Sequence, residues 1–151
     1  FMVKGLGCKY IFLDHLSIIV SAQDNDDERK ALDAIMTKLR MMVEETGICL
    51  FVVSHLRRPQ GAGHEDGAST SLSQLRGSAA IAQLSDMVIG LERNGQADDD
   101  VDRNTTSVRV LKNRFSGETG PAGSLYFNKE PGRMQTRDVT LTSGLGEIQI
   151  L

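Results

Sequence analysis

Cysteine is scarce in this chain: Cys8 and Cys49 are the only two, and they do not form the paired ligands of a metal site. A reducing, cytoplasmic setting is therefore expected. Cys49, inside an apolar run, reads as a small buried residue. No apolar run approaches membrane-spanning length and no signal peptide is visible, so no membrane partner is expected. Positive charge is not in excess either. A formal net charge of −3 argues against a protein that coats nucleic acid with its whole surface, while leaving room for a local basic loop. The acid is densest in two clumps, Asp24 to Glu28 and Asp98 to Asp102, both read as solvated turns. No internal repeat is present. What remains is a 151-residue, 16.5 kDa chain with 40% hydrophobic residues, read as one globular domain large enough to bury a core.

Two continuous apolar runs dominate it. Tyr10-Ile11-Phe12-Leu13 ends on Asp14-His15, and Ile48-Cys49-Leu50-Phe51-Val52-Val53 ends on Ser54-His55. Runs without alternation fit strands buried on both faces, as in a parallel sheet. Between them a helix is expected from about Glu28 to Glu45, with Leu32, Ile35, Leu39, Met42 and Val43 on one face and its three methionines as core filler. Gly47 stops it. The three pieces read as a βαβ unit with a right-handed crossover. Ligands in open parallel sheets collect at the carboxyl ends of the strands, so Asp14, His15, Ser54 and His55 should share one rim.

Beyond this unit the pattern changes. Residues 56–70 form a polar loop carrying Arg57, Arg58 and His64, and a loop of this length inside a domain is functional or disordered. Ser71 or Ser73 is placed to cap a short helix through Gln83. Strands are expected at Asp86 to Glu92, Thr106 to Phe115 and Gly123 to Asn128, the last two as an antiparallel hairpin. Asn94 to Asn104 reads as a flexible polar turn. Ile148 to Leu151 is a possible edge strand in a tail from 133 to 151, with the main domain at 1–132.

Several side chains are suited to phosphate chemistry. An apolar strand ending in Asp14 is the arrangement in which a carboxylate holds Mg²⁺ beside nucleotide phosphates, usually through water; many strands also end in Asp as a simple cap. His55 has two readings: a reporter of a terminal phosphate, or a histidine bonded to loop backbone. His15 is either a second polar group on the rim or a buried, hydrogen-bonded histidine, and the latter reading is preferred. A zinc site from Asp14, His15, His55 and His64 matches no compact zinc spacing. Arg57, Arg58, His64 and Arg76 offer phosphate donors, and nearby glycines let backbone amides approach a nucleic acid; the alternative is an ordinary solvated loop. The loop holds no aromatic residue, so base stacking is not indicated. Lys112 and Arg114 point to one side of their strand, either to stabilise phosphate charge across a subunit boundary or to pair with acid on a neighbouring strand.

With these residues assembled, the chain resembles the hexameric replicative DNA helicases with a RecA-like core. It is most similar to the phage primase-helicase type and more distantly to Twinkle and DnaB helicases. The resemblance is carried, in order, by Phe12-Leu13-Asp14-His15, Ser54-His55-Leu56, Gln74-Leu75-Arg76-Gly77-Ser78, Gln83-Leu84-Ser85-Asp86, Leu91-Glu92-Arg93-Asn94 and Leu111-Lys112-Asn113-Arg114-Phe115, with Gly117 and Gly120. It implies an α/β fold, a RecA-like P-loop NTPase core with a largely parallel sheet flanked by helices and a C-terminal β-hairpin. It further implies ATP (or another NTP) with Mg²⁺ as cofactors, single-stranded DNA as partner, and identical subunits in a ring, a hexamer in this family. By the same resemblance Asp14 is the Walker B carboxylate and His55 senses the γ-phosphate. Arg57, Arg58, His64, Arg76 and Gly77 fall in the DNA-gripping segments. Gln83 couples nucleotide state to DNA, Arg93 lies near the nucleotide, and Phe127 packs on the adenine. Lys112 and Arg114 reach a neighbouring subunit's ATP, with Arg114 as the finger.

The sequence also departs from the family. It contains no Gly-x-x-x-x-Gly-Lys-Ser/Thr, so the Walker A phosphate cradle is missing, as is the catalytic glutamate of an earlier strand. Ala82 stands where phage relatives can carry arginine, and the basic loop is shorter and less lysine-rich. The expectation is the C-terminal half of a motor domain, inactive alone, that needs its N-terminal half. Two alternatives remain: a non-catalytic remnant that binds DNA or joins rings, and another RecA-like ATPase such as a recombinase or clock-type enzyme.

Overall fold

A computed structural model describes residues 1–21, 28–57, 63–75 and 79–137. The first apolar run forms β1 (Tyr10–Leu13), followed at once by α1 (Leu16–Ser21). The long helix α2 spans Glu28–Thr46 and leads to β2 (Cys49–Val52), which pairs parallel to β1 with Tyr10 opposite Cys49 and Leu13 opposite Val52. Ala31, Leu32, Ile35 and Met36 give α2 its buried stripe, and Gly47 ends it in the left-handed conformation (φ 67°), its amide bonded to Val43 O at 2.8 Å. Those four residues join Leu16 and Ile81 in the core cluster, with Leu39, Val52 and Leu84 packed against it. Of the three methionines only Met36 is filler; Met41 is exposed.

The two strands are not buried on both faces. Their residues alternate, and Tyr10, Phe12, Cys49 and Phe51 lie on a face that no described residue covers, with Phe12 74% exposed. Phe12 and Phe51 stack there, ring centroids 4.5 Å apart. Cys49 is accordingly exposed, not interior. The apolar character of both faces is real; what the sequence does not reveal is which face the described helices fill.

The remaining strands build a separate antiparallel sheet in the order β3-β4-β5-β6: Met87–Arg93, Thr105–Asn113, Gly120–Asn128 and Arg133–Arg137. Among the described residues, parallel pairing is confined to β1 and β2. The β4–β5 hairpin is present, but β4 ends at Asn113 and leaves Phe115 exposed, while β5 starts three residues before the expected position. The helix expected after Ser71 is divided into a 3₁₀ turn (Leu72–Gln74), whose Gln74 Oε1 accepts the Ser71 amide at 2.7 Å, and α3 (Ala79–Leu84). The segment between β3 and β4 is not a bare turn. Asp99 caps a short helix α4 (Asp100–Arg103) by accepting the Asp102 amide, and Asp100 pairs with Lys129 and Arg103. Those partners, Lys129 first, hold the Asp100 carboxyl below its ordinary pKa. Part of this acidic clump is therefore structural. Ile148 to Leu151 lies outside the described residues.

Candidate functional site

The strand ends of the βαβ unit meet as expected. The Val53 amide donates to Leu13 O at 2.9 Å and the Leu16 amide to Val53 O at 3.0 Å, which keeps the segments after β1 and β2 side by side. The Asp14–His15 peptide bond is cis. Asp14 and His55 are exposed, and the His15 and His55 rings meet edge-on with centroids 4.3 Å apart. His15 is not the hydrogen-bonded histidine that its sequence context predicts, because its Nδ1 is buried without a partner. Among the described residues no three His, Cys, Asp or Glu side chains converge as a metal-ligand set. One exposed carboxylate suits a cation held mostly by water and phosphate, the usual manner of Mg²⁺.

The polar loop after His55 is tied down at three places. Leu56 bridges Leu75, and the Arg57 amide donates to Gln74 O at 2.7 Å, closing the loop at its stem. Asp66 bridges Asn94, and the Gly95 amide donates to Glu65 O at 2.9 Å. The third tie is a buried polar knot: Glu92 Oε1 accepts the Thr70 amide at 2.7 Å, the Thr70 hydroxyl at 2.8 Å and Arg109 Nε at 2.8 Å. Burial raises the Glu92 pKa, but the bonds from Arg109 and Thr70 outweigh it and hold the carboxyl below its ordinary value. Gly90 makes this close approach possible, since a side chain there would land on Thr70. Of the expected DNA-contacting residues, Arg57 is exposed at the stem. His64 turns inward, with Nδ1 3.3 Å from Ala68 O and Nε2 buried without a partner. Arg58, Arg76 and Gly77 lie outside the described residues.

The antiparallel sheet sorts the other candidates to its two ends. At one end Arg93 Nε donates to Arg103 O at 2.8 Å and the Phe127 amide donates to Asn104 O at 2.9 Å, so both anchor on the end of α4. At the other end Lys112 Nζ donates to Ala82, Gln83 and Ser85 carbonyls at 2.7, 3.1 and 2.8 Å, and Arg114 Nη2 donates to Gln83 O at 3.0 Å. These are the outward-facing carbonyls at the end of α3, where cations are favoured. Lys112, Arg114 and Gln83 thus form one group, and Arg93 and Phe127 another. The β3–β4 ladder between them, from Met87 opposite Asn113 to Arg93 opposite Thr106, is roughly 20 Å long at the usual strand rise. The acid that pairs with Arg114 is Asp86, the first residue of the expected neighbouring strand, although β3 itself begins one residue later.

Sequence reasoning passes over Asp86, Arg40, Thr70, Glu92 and Arg109. Gly90 in a strand interior is a usable signal of close approach. Asp86 closes one of the motifs that carry the resemblance, but nothing local shows that it pairs with Arg114 and Arg40, which are distant in sequence.

The family model described as the DnaB-like helicase C-terminal domain matches residues 2–136. The DNA helicase/primase of Enterobacteria phage T3 is 47% identical over 148 residues, covering 97% of this chain and 26% of that protein. The replicative DNA helicase DnaB of Treponema pallidum is 29% identical over 115 residues, covering 76% of this chain and 23% of that one. A solved structure of a DnaB-like replicative helicase, described with its interactions with primase, matches with a TM-score of 0.66 and 26% identity over 83% of this chain and 29% of its own. The chain therefore spans about a quarter of the length of these two curated relatives.

Proposed function

The chain belongs to the DnaB-like helicase C-terminal domain family, and on that premise we propose that it is part of an ATP-dependent replicative helicase. In this reading the complete protein encircles single-stranded DNA as a ring, a hexamer as in the family it resembles, and moves along one strand to unwind duplex. The observation that carries the reading is the sorting of candidate residues to opposite ends of the antiparallel sheet. A nucleotide held by Arg93 and Phe127 is far from the same chain's Arg114, so Arg114 is available to a nucleotide bound by a neighbour.

The individual roles follow. ATP with Mg²⁺ supplies the phosphoryl group and the divalent charge when bound. Asp14 would hold that ion, and His55 on the adjoining strand end would sense the terminal phosphate. Arg57, Arg58, His64, Arg76 and Gly77 belong to the DNA-gripping segments, and Gln83 links them to Lys112 and Arg114. A phosphate-binding loop and catalytic glutamate are supplied by an N-terminal half of the same domain, without which this segment does not hydrolyse ATP. The uncovered apolar residues Phe12 and Phe51, and Met87, Ile89 and Leu91 along one face of β3, support such a covering partner. No helix among the described residues is long and apolar enough to cross a membrane; on the helicase reading the protein works in the cytoplasm, the host's if phage-encoded.

The test is Arg114→Ala in protein that carries the phosphate-binding loop. Hydrolysis should fall by about 10³-fold or more, the range for an arginine finger, with nucleotide affinity changed little. Hydrolysis at the unmutated rate would overturn the ring-motor assignment of Arg114.

A further inference from the structure

Asp86 stands at a junction that no role assigned so far explains. Its Oδ1 accepts Arg114 Nη1 at 2.9 Å, and its Oδ2 accepts Arg40 Nη1 at 2.7 Å. Its backbone carbonyl accepts the Arg114 amide at 2.9 Å. Arg114 is thus gripped through main chain and side chain by one residue, and Gln83 O takes a third bond. Arg40 extends the connection to α2, the helix that fills the core, and is itself steadied by Glu44 at 2.8 Å.

The geometry, with Lys112 beside it, favours positioning over silencing. A single carboxylate opposite a single guanidinium would leave a neutral pair, a poor partner for phosphate. Here Asp86 is shared with Arg40, whose charge Glu44 also offsets, so these four groups are neutral together; the positive charge beside Arg114 comes from Lys112, held on the same Gln83 carbonyl. A guanidinium carries five N–H donors. The bonds to Asp86 and Gln83 use two of its nitrogens and leave donors on an edge that is nearly half exposed. Arg114 can therefore meet an incoming phosphate without leaving its seat.

We propose that Asp86 is the positioning residue of Arg114, orienting the guanidinium toward a neighbouring subunit's nucleotide before that nucleotide arrives. The proposal rests on Arg114 acting in trans. A long side chain fixed in advance loses less freedom at the moment of reaction, and a preset cation needs no reorganisation when charge develops. Asp86 touches neither substrate nor reacting atoms; it acts through Arg114.

The experiment compares Asp86→Ala, Asp86→Asn, Arg114→Ala and the double variant Asp86→Ala/Arg114→Ala in ring-forming protein with its phosphate-binding loop. Steady-state hydrolysis and ring mass are read for each. Asp86→Ala should lower kcat by about 10²-fold, the scale of a misplaced catalytic group, with KM within about twofold. Asp86→Asn keeps the shape and one acceptor and should fall between Asp86→Ala and the unmutated protein. The double variant should be no slower than Arg114→Ala, because a seat without its occupant has nothing to position. Full activity in Asp86→Ala with Arg114→Ala inactive would overturn this proposal and leave the finger standing. Full activity in Arg114→Ala would remove the finger and this proposal together. Loss of rings, or an equal further loss when Asp86→Ala is added to Arg114→Ala, would make Asp86 a structural residue and overturn the proposal.

Discussion

Replacing Gly90 by alanine should open the polar loop from a distance, without touching any residue proposed to meet DNA. An added methyl would fall on the Thr70 hydroxyl, 3.0 Å from Thr70 Cβ and 3.4 Å from Leu111 Cδ1. Thr70 is 6% exposed and so has little room to move within its present seat. Overpacking of this kind costs about 1–3 kcal/mol. Displacing the Thr70 hydroxyl also breaks a bond to the Glu92 carboxylate, worth about 1.5–3 kcal/mol for a charged acceptor. Together these give about 2.5–6 kcal/mol, or a roughly 10²- to 10⁴-fold rise in the population of the opened loop. Amide hydrogen exchange at Thr70 and its neighbours measures this directly, since the Thr70 amide is bonded to Glu92 in the closed state. Thr70→Ala removes the overlapping hydroxyl, so the Gly90→Ala/Thr70→Ala double variant should be much less destabilised than the sum of the two. Unchanged exchange in Gly90→Ala, or full additivity in the double variant, would refute the packing argument.

Two further predictions concern the same molecule under other perturbations. Glu92 titrates below its ordinary value in the folded protein. Its contribution is therefore fully present above the unfolded value, about 4.3, and is lost as pH falls through the lower folded value. Denaturation midpoints followed from neutral pH downward into acid should show a steeper loss for the unmutated protein than for Glu92→Gln, and parallel profiles would count against the knot. For the uncovered face of β1 and β2, Phe12→Ala should cost the complete motor about 3–5 kcal/mol if the rest of the domain packs on it. A loss within about 0.5 kcal/mol, as for an ordinary surface site, would mean that nothing covers Phe12.

The parts legible in the sequence are those written in local pattern. The apolar runs ending on Asp14 and His55, the stripe on α2 and the stop at Gly47 need only a few neighbouring residues to be read, and the resemblance built on them is met by the family match over residues 2–136. The failures share a cause. Strands β1 and β2 are apolar on both sides, but periodicity does not say which chain segment covers each side. Cys49 reads as interior for the same reason. Asn94 to Asn104 reads as a loop because a four-residue helix is too short to display a period, although Asp99 ahead of it is an ordinary cap. His64 keeps its proposed place in the DNA-gripping segment, but that its ring turns inward is not visible in the local sequence. The joining of Glu92 to Thr70 and Arg109, and of Asp86 to Arg40 and Arg114, spans between 17 and 46 residues of sequence and emerges only when the chain is folded.

These two knots lie at opposite ends of one strand, and that placement bears on how the motor would work. Asp86 precedes β3 and seats Arg114; Glu92 near its far end clamps the loop through Thr70; Arg93 follows it. Strand β3 pairs with β4 from Met87 to Arg93, with a register shift between Val88 and Ile89, so both knots are tied to one hydrogen-bonded strand. That has a consequence for coupling. On the proposed assignment, a DNA-bound loop and a trans-acting arginine tied to the same strand shift together relative to the neighbouring subunit. A force on the loop is then felt where Arg114 meets the next nucleotide, through hydrogen bonds already in place and not through unfolding of the sheet. Gly90→Ala is the perturbation that separates the two: it loosens the clamp at Thr70 while leaving the seat at Asp86 untouched. DNA-stimulated hydrolysis should fall in that variant toward the rate without DNA, while the DNA-independent rate holds. Equal stimulation despite an opened loop would show that the strand does not carry the coupling.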